Sequence, residues 1–346
     1  MKKTIISGIT GQDGSYLSEF LISKNYEVHG LMRRSSVFST ERIDHLTNKY
    51  EKDGIFNLHY ADLTDSSSIR NIIQKISPDE FYNLGAMSHV GVSFSTAESV
   101  LNINSIGAYR ILDILKEICP NCKYYQASSS EMFGASPPPQ NEETKFMPQS
   151  PYGISKVAAF YITKYFRNSN KMFASNGILF NHESPRRGLN FVTRKITFNL
   201  AKIIAGKEKK IYLGNLDTRR DWGFAGDYVK AMWMILQHNK SDDFVISTGE
   251  NRSIKDFLEN VFSLLDLDWK NFVVANTPQY MRKTEVESLQ GDSTKARNIL
   301  GWKPDHTFND LCKMMLISDL EKFCLSLDQA KSIAKKIKNN VSQKTS

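Results

Sequence analysis

The N-terminal segment limits the possible folds of this chain more than any other stretch. Thr4-Ile5-Ile6-Ser7 is a short β-prone run that ends in Gly8-Ile9-Thr10-Gly11-Gln12-Asp13-Gly14. A helical apolar pattern follows at Tyr16, Leu17, Phe20 and Leu21. Strand, glycine turn and helix, in that order, are the setting in which a glycine triplet marks a dinucleotide-binding βαβ unit. The glycines allow a tight turn and close backbone approach, and the unpaired N–H groups of the helix N-terminus receive a pyrophosphate. Gly8, Thr10, Gly11, Gln12, Asp13 and Gly14 are therefore the first candidate cofactor contacts.

The alternation continues along the chain. A second strand, Glu27-Val28-His29-Gly30-Leu31, leads into Arg33-Arg34-Ser35-Ser36. A site selective for NAD carries an acidic residue here to hold the ribose diol. Two guanidiniums and two hydroxyls instead form a cradle for a 2′-phosphate, which favours NADP. Further strands are read at 56–60, before Asp62-Leu63, at 80–84, closing on Gly85-Ala86-Met87-Ser88, at 123–127 and near 176–180, with helices over 66–76 and 99–118. Repeated βαβ units predict an α/β fold, a doubly wound parallel sheet of the Rossmann type with ligands outside the carboxyl ends of its strands. After residue 180 the alternation loosens. Residues 1–180 are read as mainly the NADP-binding domain, 181–323 as mainly a smaller α/β substrate lobe with some chain returning to the first domain, and 324–346 as a basic tail, a solvated or frayed helix end.

Two polar motifs carry the chemistry. Ser128-Ser129-Ser130-Glu131 is followed by Tyr152-Gly-Ile-Ser-Lys156. A tyrosine four residues ahead of a lysine shares its helix face. There an ammonium is expected to depress the phenol pKa toward neutrality and make Tyr152 a base for a sugar hydroxyl. Glu131 lies two residues beyond Ser129, so on an extended segment the two side chains face the same way. A second acid/base is superfluous for alcohol oxidation, whereas an elimination requires one.

Composition narrows the partners. With 45 basic and 37 acidic residues the net charge is +8, which suits phosphorylated anionic ligands. No zinc-finger spacing or aromatic-interleaved basic stripe supports nucleic-acid binding. Cys119-Pro-Asn-Cys122 has no second Cys/His pair at metal-site spacing, so no metal is expected. No run approaches the ~20 apolar residues of a membrane span, and Gly8 and Gly11 break up the segment behind Met1-Lys2-Lys3. The expected location is the cytoplasm.

Together these motifs resemble the extended short-chain dehydrogenase/reductases, and longer strings resemble the GDP-mannose 4,6-dehydratase family within them. The strings are Gly8-Ile-Thr-Gly-Gln-Asp-Gly-Ser-Tyr16, Arg33-Arg-Ser-Ser36, Asn176-Gly-Ile-Leu-Phe-Asn-His-Glu-Ser-Pro-Arg-Arg-Gly188, Phe191-Val-Thr-Arg-Lys195, Leu213-Gly-Asn-Leu-Asp217, Arg220-Asp-Trp-Gly223 and Thr284-Glu-Val286. The resemblance implies a catalytic set of Ser129, Glu131, Tyr152 and Lys156. It implies NADP contacts at Thr10 to Asp13, Arg33 to Ser36, Asp62, Leu63, Leu84, Gly85, Ala86, Ser88, Tyr152, Lys156, His182 and Arg187. It further implies GDP-sugar contacts at Ser88, Asn181, Val192, Lys195, Arg220, Arg282 and Glu285, and a homodimer or homotetramer. Three positions depart from the family pattern: Ser129 replaces a threonine, Ser99 a tyrosine, and Phe224 a histidine. The methyl lost at Ser129 leaves GDP-D-glycero-D-manno-heptose as a rival substrate to GDP-D-mannose. A 4-epimerase or reductase of the same fold is the rival chemistry, but it has no evident use for Glu131.

Overall fold

A computed structural model describes residues 1–36, 39–281 and 284–345, with side chains to 339. Six strands follow in chain order: β1 (Lys2–Ser7), β2 (Tyr26–Met32), β3 (Phe56–Tyr60), β4 (Glu80–Asn83), β5 (Lys123–Ser129) and β6 (Ala174–Leu179). A seventh, Asp243–Ile246, pairs with β6, and the sheet order is Asp243–Ile246, β6, β5, β4, β1, β2, β3. Every pairing in this sheet is parallel. Ile5 and Ile6 of β1 are fully buried on opposite faces, as a parallel strand covered on both sides requires. The chain leaves β1 toward β2 and later re-enters beside it through β4, so the switch point lies above β1, where the glycine turn sits.

Amphipathic helices cover both faces. On one side Leu17 and Leu21 of the Gln12–Ser23 helix meet Met232 and Ile235 of the Ala225–Gln237 helix. On the other, Ile69 and Ile73 of the Ser66–Ile76 helix pack with Ile111 and Leu115 of the Gly107–Ile118 helix. The Ser66–Ile76 helix starts where Asp65 accepts the Ser67 and Ser68 N–H groups, and it ends at Ser77 in a left-handed conformation (φ 51°). A separate core lies in the later chain, where Leu200, Phe257, Leu311 and Met315 come together.

Two expectations need correction. The helix read at 99–118 begins at Ala97 and contains a π-helical turn, Asn102–Ile106, before Gly107–Ile118. The segment after Phe323 is helical, as expected, but one face of it is docked instead of solvated. It forms the Leu327–Thr345 helix, and its Ala330 and Ala334 are fully buried in the later core. Small residues four apart allow close docking, while Lys331, Lys335 and Lys336 face water. Among the described residues no helix is long and apolar enough to cross a membrane, and no His/Cys/Asp/Glu group is arranged to hold a metal.

Candidate active site

The carboxyl ends of β1, β2, β4, β5 and β6 open into a cleft of about 1310 Å³ that continues toward the later lobe. Its floor is the glycine turn. Gly8 has φ +72°, and a Cβ there would lie 2.9 Å from the Gly85 backbone. At Gly14 a Cβ would come within 2.5 Å of the Gly8 carbonyl oxygen. Both positions therefore exclude a side chain. The Gln12–Ser23 helix behind the turn has Gly11 as its N-cap and no side-chain cap, so its first N–H groups face the cleft. Backbone donors at a bare helix N-terminus fit a pyrophosphate.

Most of the sequence-derived residues line this one cleft. Gly8, Thr10 to Gly14, Arg33, Asp62, Leu63, Leu84 to Ser88, Ser129, Glu131, Tyr152, Lys156, Asn181, His182, Arg187, Val192, Lys195, Arg220 and Glu285 all do so. Arg34, Ser35 and Ser36 are exposed and lie outside its lining; Arg34 sits 6.0 Å from the Tyr60 ring. Arg282 lies outside the described residues. Two departures also fall away from the cleft lining: Ser99 is exposed, and Phe224 packs edge-on against Tyr16 and His306.

The catalytic candidates converge where β5 ends. Ser129 is its last residue, and Glu131 follows on a 3-10 turn, Ser130–Met132, not on the expected extended segment. The Glu131 N–H donates to Ser129 Oγ (3.2 Å), so the hydroxyl caps the turn that carries the carboxylate. Tyr152 and Lys156 enter on the Pro151–Ser169 helix, which starts where Ser150 accepts the Gly153 N–H (3.0 Å) with Pro151 at the first position. At Gly153 a Cβ would lie 2.8 Å from the Glu131 carbonyl oxygen, so only glycine lets this helix approach the turn so closely.

The electrostatics correct one expectation. Burial pushes the Tyr152 phenol up to about 12, against the Ser129 hydroxyl and Arg187, which pull it down. Lys156 is driven down to about 8 by its own burial, with Asp13 opposing. The Lys156 ammonium donates to the Ala127 carbonyl (2.7 Å) and stands 5.8 Å from the centre of the Tyr152 ring. Desolvation thus outweighs the ammonium's pull on the phenol. Asp13 and His182 form a pair at 2.8 Å. Burial alone would lower the His182 imidazole, but the Asp13 carboxylate raises it.

Toward the later lobe, three buried polar atoms of the cleft have no well-aligned hydrogen-bond partner among the described residues: Lys195 Nζ, Asn181 Oδ1 and Arg187 Nε, the last in an ion pair with Glu183 (3.0 Å). Lys195 Nζ lies 3.0 Å from the centre of the Tyr280 ring. An ammonium left in that state calls for an anion, as a diphosphate would provide. Arg220 Nη2 stands 3.5 Å from Glu285 Oε1 and its Nη1 donates to the Val286 carbonyl (2.8 Å).

Sequence reasoning missed Asn104. In the π-helical turn its Oδ1 accepts the Met87 N–H (2.9 Å), and its Nδ2 donates to the Met87 carbonyl and to Ser155 Oγ (2.9 Å). It therefore locks the Leu84–Ser88 loop to the helix one residue before Lys156. An asparagine inside an apolar helical pattern was the available signal.

A sequence model of the family described as GDP-mannose 4,6 dehydratase matches residues 5–315. The chain belongs to this family. It is 53% identical over 330 residues to GDP-mannose 4,6 dehydratase 2 of Arabidopsis thaliana, covering 92% of this chain and 87% of that one. The human GDP-mannose 4,6 dehydratase is 48% identical, with 92% and 91% covered. The Vibrio cholerae GDP-mannose 4,6-dehydratase is 46% identical, with 92% and 94% covered. Among solved structures, dTDP-glucose 4,6-dehydratase of Bacillus anthracis superposes at TM-score 0.80 with 17% identity, covering 95% of this chain and all (100%) of that one. UDP-glucose 4-epimerase of Thermotoga maritima also superposes at 0.80, with 20% identity and 94% and 100% covered. A dehydratase and an epimerase thus share this fold, so the fold alone does not separate the two chemistries.

Proposed function

We propose that the chain is an NADP-dependent hydro-lyase that converts GDP-D-mannose to GDP-4-keto-6-deoxy-D-mannose. The observation that carries this reading is the carboxylate of Glu131 on the turn that Ser129 caps, beside Tyr152 and Lys156. The relatives' names favour the hexose over the heptose. The sheet-centred part of the chain is read as the NADP-binding domain and the later core as the GDP-sugar lobe.

The glycine turn, Arg33 and His182 fit NADP: a Cβ-free floor, bare helix N–H groups and a guanidinium at the end of β2. When bound, the cofactor supplies the redox half of the reaction, a two-electron acceptor at C4 and a donor at C6. The protein's own residues move the protons. Tyr152, as phenolate, takes the proton of the sugar 4-hydroxyl while Ser129 holds that oxygen; the burial that pushes the phenol up to about 12 would be opposed there by a bound cationic nicotinamide. Lys156 orients the ribose and stands 5.8 Å from the centre of the Tyr152 ring. A carbonyl at C4 acidifies the C5 proton, which Glu131 removes. Glu131, now protonated, donates to the departing 6-hydroxyl, water leaves across C5 and C6, and the proton that Tyr152 took from O4 is returned at C5 as C6 is reduced. Lys195, Arg220 and Glu285 hold the GDP portion, the two cations suiting its diphosphate.

Four free cysteines fit a reducing compartment, and the reading places the enzyme in the cytoplasm. Self-association is assigned to the apolar face where Ile106, Tyr109, Tyr161 and Tyr165 are exposed side by side on two packed helices.

Glu131→Gln tests the reading. The variant should bind NADP normally and exchange the C4 hydrogen, yet release no water. Near-normal dehydration by the variant would remove Glu131 from the mechanism.

A further inference from the structure

We propose that a second, cationic cavity beside the cleft binds a phosphate or diphosphate group. This cavity, of about 390 Å³, lies between the segment after β2, the Pro185–Leu189 segment and the end of the Phe308–Glu321 helix. Arg42, Arg186, Arg187, Arg194 and Lys322 line it, and Glu41 is the only carboxylate among its lining residues.

Three of the five cations are already satisfied. Arg186 pairs with Glu19 (2.6 Å), Arg187 with Glu183 (3.0 Å) and Arg194 with Asp319 (2.6 Å). Arg42 and Lys322 form no direct salt bridge among the described residues, although Glu41 lies near both and Asp319 near Lys322. Arg42 donates from Nε to the Arg186 carbonyl (2.7 Å) and from Nη1 to the Thr10 carbonyl (3.4 Å), which leaves Nη2 for a ligand. The Lys322 ammonium stands 5.9 Å from the Phe198 ring and near the charges of Arg194, Asp319, Glu41 and Arg42. Both cations are held below their ordinary pKa, first by burial and next by the charge of Arg194. A concave site with several cations on low-dielectric walls concentrates anions.

The volume, under a third of the main cleft's, suits a phosphate or diphosphate group and not a second nucleotide sugar. Arg187 lines both cavities, and Arg42 holds the Thr10 carbonyl of the glycine turn, so an occupant would sit one guanidinium away from the cofactor site.

The test is calorimetric titration of inorganic pyrophosphate into the full-length protein saturated with NADP and GDP, at constant ionic strength set with sodium chloride. The expected result is one further saturable site per chain, weakened at least tenfold by Lys322→Gln and by Arg42→Gln. Lys322 is exposed, so its substitution leaves the fold intact even if Arg42→Gln does not fold. No saturable uptake, or uptake unchanged in Lys322→Gln, would overturn the proposal. So would uptake abolished by more NADP or GDP, which would assign the anion to the main cleft. A variant with a changed oligomeric mass but unchanged pyrophosphate affinity would assign the cavity to a second copy and overturn it equally.

Discussion

Replacing Lys156 with methionine should abolish turnover and stabilise the folded chain. The ammonium is 4% exposed as part of its residue, and burial takes its pKa from 10.5 to about 8. At about 1.36 kcal/mol per pKa unit, that drop corresponds to roughly 3 kcal/mol of unfavourable desolvation at neutral pH. Methionine removes the charge but leaves the Ala127 carbonyl without its 2.7 Å donor, a loss of about 1–2 kcal/mol. The net expectation is a gain of about 1–2 kcal/mol at pH 7, read by urea denaturation of nucleotide-stripped protein. The pH dependence provides an independent check. Below pH 8 both the folded and unfolded chains hold the Lys156 proton, and the folded state bears the full cost. Between about pH 8 and 10.5 the unfolded chain keeps the proton while the folded chain releases it, so wild-type stability rises with pH through this window. Lys156→Met lacks this rise, and the gap between the two proteins should narrow across it. A wild type that is as stable as the variant at pH 7, with a gap independent of pH, would refute the assignment of a desolvated ammonium.

Three further outcomes follow from the same geometry. Gly153→Ala places a Cβ 2.8 Å from the Glu131 carbonyl oxygen, so it should cost about 1–3 kcal/mol and lower kcat by displacing Tyr152; kinetics and denaturation together check this. Arg194→Met strands Asp319, which is 0% exposed, and should destabilise the fold by about 3–5 kcal/mol in denaturant titrations. Lys195→Gln removes the unpartnered cleft ammonium and should weaken GDP binding at least tenfold while leaving the NADP affinity unchanged, as measured by calorimetry.

What the sequence reveals follows the range of its signals. The glycine turn, the strand-end motifs and the Tyr152–Lys156 pair are local: a few consecutive residues specify each, and the parallel sheet then gathers its strand ends on one edge. Long-range partners are less legible. The strand Asp243–Ile246 joins the sheet beside β6 across more than sixty intervening residues, and no periodicity of its own announces that neighbour. Glu131 was read on an extended segment because alternation gives no hint of the 3-10 turn that the Ser129 hydroxyl caps. The tail's lysines suggested solvent and masked the stripe that docks it, Leu327, Ala330, Ile333, Ala334 and Ile337. Burial was also invisible: spacing places Lys156 near Tyr152 but cannot show that desolvation dominates both pKa values.

The most direct test of the central claim is the mass of the nucleotide-sugar product formed from GDP-mannose by the purified protein with NADP. The account predicts a product lighter by one water, with no net consumption of cofactor. An unchanged mass with an altered C4 configuration would make the chain an epimerase and contradict the role given to Glu131.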